Sequence, residues 1–167
     1  MARGEQWAGR CRQRGLDVHR TGRRGAAMVE FAIVVPLLCL LVLGIMEFGM
    51  VMHDYIMVVQ GAREGTRSAA VGDPVSKIKA RVIEASALRD LTPGMVQVTW
   101  FDPNTGGWVA VTDAANGLSN AVPPDGIVRV IVNAYPHHMV TGNFFAWLPG
   151  YQNGSMMLSS RLTMRRE

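Results

Sequence analysis

The sequence predicts an α+β chain: a long N-terminal helix, a second helix and a roughly four-stranded antiparallel sheet, with the first helix crossing a membrane before it rests on the soluble part. Three observations lead there. Residues 31–46 are sixteen in a row without a charge. Helical spacing continues beyond that run as far as Val71, just ahead of Gly72-Asp73-Pro74. After Thr92-Pro93-Gly94 the apolar period drops to two.

A length of 167 residues allows one modest domain plus an anchor. The formal charge is +4 but is unevenly placed: residues 1–25 hold seven arginines against Glu5 and Asp17, while the rest has ten basic residues against eleven acidic ones. The basicity belongs to a leader, which argues against a nucleic-acid partner for the remainder. Cys11 stands among the arginines and Cys39 inside the apolar run, a placement that argues against a disulfide, and residues 72–167 contain no cysteine.

The wider segment 26–52 carries only Glu30 and Glu47 as charges. At about 1.5 Å per residue its 27 residues reach about 40 Å as a helix, against about 30 Å of hydrocarbon in a bilayer. Pro36, Gly44 and Gly49 are residue types that membrane helices tolerate. The arginines before the span place the N-terminus in the cytoplasm and everything after about Met52 outside. A cleavable secretory signal fits poorly, because the apolar run is long and no small-x-small site follows closely. An uncleaved signal anchor is the plain alternative.

A carboxylate near the start of such a span needs compensation. A cut between Gly25 and Ala26 provides it: Ala26 gains a cationic amine, and Glu30 becomes the fifth residue, on the same helix face and suited to the helix dipole. Glu30 then neutralises its own amine or that of a packed neighbour. Without a cut, Glu30 reads as a helix-end acid reaching for water.

The stretch "RRGAAMVEFAIVVPLLCLLVLGIMEFG" followed by "AREGTRSAAV" resembles the TadE-like family, minor pseudopilins of the Tad (Flp) type IV pilus machinery. The resemblance rests on Gly25 before the cut, Glu30 with Phe31, Pro36, the Glu47-Phe48-Gly49 triplet, and Ala62-Arg63-Glu64-Gly65-x-Arg67; it covers residues 23–71 well and the rest in outline. Met50 is a departure. The resemblance implies a class III leader at 1–25 removed by a prepilin peptidase, and partners among other pilin-like subunits, the Tad secretion machinery and the lipid bilayer. It implies a part in pilus assembly and adhesion, with Glu30, Phe31, Pro36 and Glu47 in subunit packing and register. It implies no cofactor and no small-molecule substrate.

Beyond the span, Ile56, Val59, Arg63 and Arg67 recur at helical steps, extending the first helix over 53–71 and leaving 72–167 as an extracytoplasmic α+β head. Arg63, Glu64 and Arg67 read either as a solvated face or as a partner contact. Asp73 is the expected cap and Pro74 the first residue of a second helix reaching about Asp90, with Val75, Ile78, Val82 and Leu88 inward. Strands are expected at 95–101, 108–112, 127–135 and 156–164.

Catalytic patterns are missing from the sequence: it has no phosphate-binding glycine loop, nucleophile elbow or paired acid-base carboxylates. His137 and His138 are adjacent, so an extended chain turns them to opposite faces, a poor arrangement for a metal. Phe144, Phe145, Trp147 and Tyr151 form the densest aromatic cluster, read either as a loop folded over the sheet edge or as a subunit contact. The sequence therefore predicts a structural and assembly protein and not an enzyme, with an uncleaved signal-anchored binding module as the alternative.

Overall fold

The computed structural model describes residues 18–147, 149, 151, 152 and 154–167. The first seventeen residues of the expected leader, Cys11 among them, lie outside the described residues. The chain divides into two units between Ile45 and Met46.

The first unit holds the early part of helix α1, which runs Val18–Val71. Its apolar side chains from Met28 to Ile45 are exposed except for half-buried Val35, and Pro36 lies within the helix without ending it. The helix starts before Ala26, where the sequence had placed its beginning. Residues 18–24 contain no proline and only Gly22 as a weak breaker, so nothing local stops the helix at Gly25.

The second unit begins with the rest of α1. Glu47, Val51, Val58, Ala62, Thr66 and Ala69 form its buried face. The residues whose spacing marked the helix lie mostly off this face: Ile56 is 46% exposed, and Arg63 and Arg67 are exposed, as either reading of them requires. Apolar residues occur on several sides here, so period alone does not select the inner face; small residues do. A Cβ on Gly61 would lie 2.7 Å from the Val82 carbonyl oxygen, and one on Gly65 would overlap the Val82 side chain. The second helix approaches α1 across this pair.

Gly72, at φ 94°, ends α1 as expected. Its N–H donates to Ala69 O (3.1 Å) and that of Asp73 to Ser68 O (3.2 Å), the paired bonds of a Schellman turn. Helix α2 spans Val75–Ser86 and buries Ile78, Val82 and Ser86. Its start corrects the sequence reading. Pro74 occupies the cap position, and Asp73 instead accepts bonds from Ser68 Oγ and Lys77 Nζ, each at 2.7 Å. The Val75 N–H is satisfied from a distance by Asp113 Oδ1, at 2.6 Å. Helix α2 also stops short of Asp90, because Ala87 turns left-handed at φ 51° and bonds back to Ile83 O.

The strands are β1 (Val96–Asp102), β2 (Gly107–Ala110), β3 (Ile127–His138), β4 (Tyr151–Gln152) and β5 (Ser155–Arg165), in the sheet order β2-β1-β3-β5-β4 with every pairing antiparallel. The α+β class is therefore as predicted, with the short β4 added. Val96, Val98, Val128, Val130, Val132 and Leu158 are buried, and Gly65 faces Val130. Strand β3 runs three residues past the expected Tyr135 after an irregularity between Val132 and Tyr135. Buried Asn120 clamps the 111–126 loop to the α1–α2 turn: its Nδ2 donates to Ala69 O and Asp73 O, and its N–H to Gly72 O.

Candidate functional site

The first candidate surface is the exposed apolar length of α1. From Gly25 to Val71 this helix is long and apolar enough to cross a membrane by length and composition. Leu37 is 68% exposed and Phe31 66%, so these side chains are largely uncovered among the described residues. Gly25 and Ala26 lie within the helix and are exposed, and a Cβ on Gly25 would meet no atom within 4 Å. Glu30 is exposed, four residues on from Ala26, and has no hydrogen-bond or ion-pair partner among the described residues. Helical geometry puts Ala26 and Glu30 on one face, the relationship that a new amine at Ala26 would exploit.

Glu47 sits differently from Glu30. It is 1% exposed, and Thr141 donates to its Oε1 from both the backbone N–H (3.4 Å) and Oγ1 (3.3 Å). The sequence placed this acid at the outer boundary of the span; the structure gives it a contact within the second unit, with the loop that follows β3.

That loop carries the aromatic cluster. Tyr151 anchors its base, with the hydroxyl 3.0 Å from Gly142 O and 2.6 Å from Asn143 Oδ1. Phe144 is 57% exposed and Trp147 76% exposed, so both reach solvent, while the side chain of Phe145 lies outside the described residues. Arg63 and Arg67 also point to solvent and form no ion pair with Glu64 or any other acid among the described residues.

The two histidines do turn to opposite faces. His138 is exposed and bonds Ser155 Oγ at 2.9 Å. His137 is buried, with Nδ1 2.7 Å from Asp54 Oδ2 and Nε2 without a hydrogen-bond partner. Asp54 is the acidic partner that the sequence reading did not find, because α1 and β3 meet only in three dimensions. Asp54 Oδ1 also lies 3.2 Å from His53 Nδ1. Nearby, burial first and then the charges of Asp54 and Asp90 raise the Tyr135 hydroxyl above its ordinary pKa. Among the described residues no group of three His, Cys, Asp or Glu could hold a metal ion.

A family model described as TadE-like protein matches residues 25–67. The matched segment takes in Gly25, Glu30, Pro36, Glu47, Arg63, Glu64 and Arg67, and it includes the Gly61–Gly65 crossing. No curated protein and no solved structure matches the chain.

Proposed function

We propose, from a chain whose residues 25–67 form a TadE-like segment, that the protein is a minor pseudopilin that helps assemble a Tad-type pilus. A TadE-like segment on an apolar helix of this length fits a membrane-anchored, Tad-pilus-related protein. In the finer reading, the basic leader stays in the cytoplasm and a prepilin peptidase cuts after Gly25. The helix from Ala26 to about Met52 then lies in the bilayer, and the rest is extracytoplasmic.

The observation that carries this reading is the exposed apolar stretch of α1 from Met28 to Met46, bearing one acid, Glu30, near its start. In lipid such a helix gains from packing with other pilin-like helices through close contact, and an unpaired carboxylate penalises a wrongly staggered neighbour. Leu37, Leu38, Leu40, Leu41 and Val42 supply contacts, and Glu30, set against the amine of Ala26 in its own chain or a neighbour's, supplies the register. Phe31 and Pro36 shape the packing surface beside it. Arg63, Glu64, Arg67, Phe144 and Trp147 are the head's contacts with other subunits of the Tad machinery.

The test is a Glu30→Ala variant in cells lacking the wild-type gene. The variant is expected to reach the membrane fraction in normal amount and to support few or no surface pili in electron micrographs. Normal piliation would contradict the register role.

A further inference from the structure

The sheet of the head has one long open edge. Strand β5 pairs with β3 along almost its whole length, but β4 reaches only Ser155 and Met156. From Met157 to Arg165, β5 therefore has no strand on its other side among the described residues. Register decides which residues face outward. The Arg166 N–H donates to Gly126 O at 2.8 Å, which continues the β3–β5 ladder by one pair. The even-numbered residues Leu162 and Met164 thus direct their backbone groups to β3, and Arg161, Thr163 and Arg165 direct theirs to the open edge.

The side chains of these three residues share the sheet face opposite buried Val128 and Val130. That face is strongly basic. Arg161 is exposed and has no acidic partner among the described residues. Arg129, directly across from Thr163, lies over the Trp108 ring at 3.2 Å from its centroid, and its buried Nε has no hydrogen-bond partner. Burial, and then the like charge of Arg161, lowers the Arg129 guanidinium from its ordinary pKa. The counter-charge here is Asp125, 3.1 Å from Arg165 at a site where both groups are open to water.

We propose that the open edge of β5 takes up an extended acidic segment of a partner protein as an added strand, with its carboxylates against Arg161 and Arg165. The outward N–H and C=O groups supply the strand pairing, and the arginines select the sequence. Residues directly opposite Arg161 and Arg165 are four apart and project on the same face, so the recognised pattern has acids at positions one and five. A second copy of this edge would bring its own arginines to the same face, which disfavours edge-to-edge pairing of two heads.

The test uses the full chain in a non-ionic detergent and two fluorescent peptides, Val-Glu-Val-Thr-Val-Glu-Val and its Gln-for-Glu counterpart, with anisotropy as the readout. Two opposite-charge cross-strand pairs predict about fivefold to tenfold tighter binding of the acidic peptide. Arg161→Gln should shrink that preference. Thr163→Pro should abolish binding of both peptides, since it removes an N–H that points away from β3 and leaves the β3–β5 ladder intact. Equal binding of the two peptides, binding that survives Thr163→Pro, or no binding by the wild type would each overturn the proposal. So would self-association of the wild type that Thr163→Pro removes, because the edge would then belong to a second copy.

Discussion

Asp54 and His137, 83 residues apart in sequence, meet at 2.7 Å between Oδ2 and Nδ1 and fasten α1 to the end of β3. A carboxylate only accepts, so Nδ1 carries the shared proton. Asp54→Ala would leave that donor buried without an acceptor, and the expected loss of stability is about 1–3 kcal/mol. Urea unfolding of the full chain in detergent, followed by tryptophan fluorescence, measures it. His138→Ala, at an exposed position, should cost clearly less; equal losses would show that the buried pair has no special weight.

Gly65 carries the close approach of α2 to α1. A methyl group there would collide with Val82, which is fully buried in the core, so Gly65→Ala is expected to destabilise the head by about 1–3 kcal/mol. Gly49 has no atom within 4 Å of the same added group. Gly49→Ala should therefore leave the unfolding midpoint nearly unchanged or raise it through better helix propensity. A comparison of the two midpoints separates a packing requirement from a general dislike of change in α1.

Asp73 predicts an acid-sensitive step. The hydrogen bond from Lys77 first, and that from Ser68 next, hold its carboxyl below the ordinary value. The folded chain thus binds this proton less readily than the unfolded chain, and the stabilisation is present at neutral pH. It is lost as pH falls from about 4 through the depressed folded value. The stability gap between wild type and Asp73→Asn should accordingly narrow between about pH 5 and pH 3. A gap that stays constant over that range would mean that the charge of Asp73 contributes nothing.

Much of this architecture is legible in the sequence because local chemistry specifies it. Gly72 can take the positive φ that ends α1, and the alternation of Val96, Val98 and Trp100 against Gln97 and Thr99 gives β1 its two faces. The unread parts depend on contacts between distant residues. Asp113 caps α2 from 38 residues away, so the nearer Asp73 looked like the cap. The inner face of the outer part of α1 is marked by small residues, Gly61, Ala62, Gly65 and Ala69, and the two glycines leave room for α2. The four-residue spacing of Gly61, Gly65 and Ala69 is the available signal, but glycine in a helix reads first as weakness. Ser86 adds a further case: its hydroxyl donates to Ile83 O at 2.9 Å where α2 ends, while Leu88 still packs on the core beyond the helix and prolongs the apolar stripe. At the candidate site, Glu30 stood out because an acid in an apolar run is conspicuous. Asp54, by contrast, is one polar residue among several in that part of the helix.

The central claim is that the chain is a processed pseudopilin, and the N-terminus of the mature protein tests it most directly. Intact mass and N-terminal sequencing of the protein recovered from membranes should give an end at Ala26 for the wild type, and an uncut leader for Gly25→Trp. A Cβ at that position would meet no atom within 4 Å among the described residues, so a block is expected to reflect the peptidase. An intact leader in both proteins, with normal function, would contradict the account. Glu30 would then be an ordinary helix-end acid, and the chain a signal-anchored binding module.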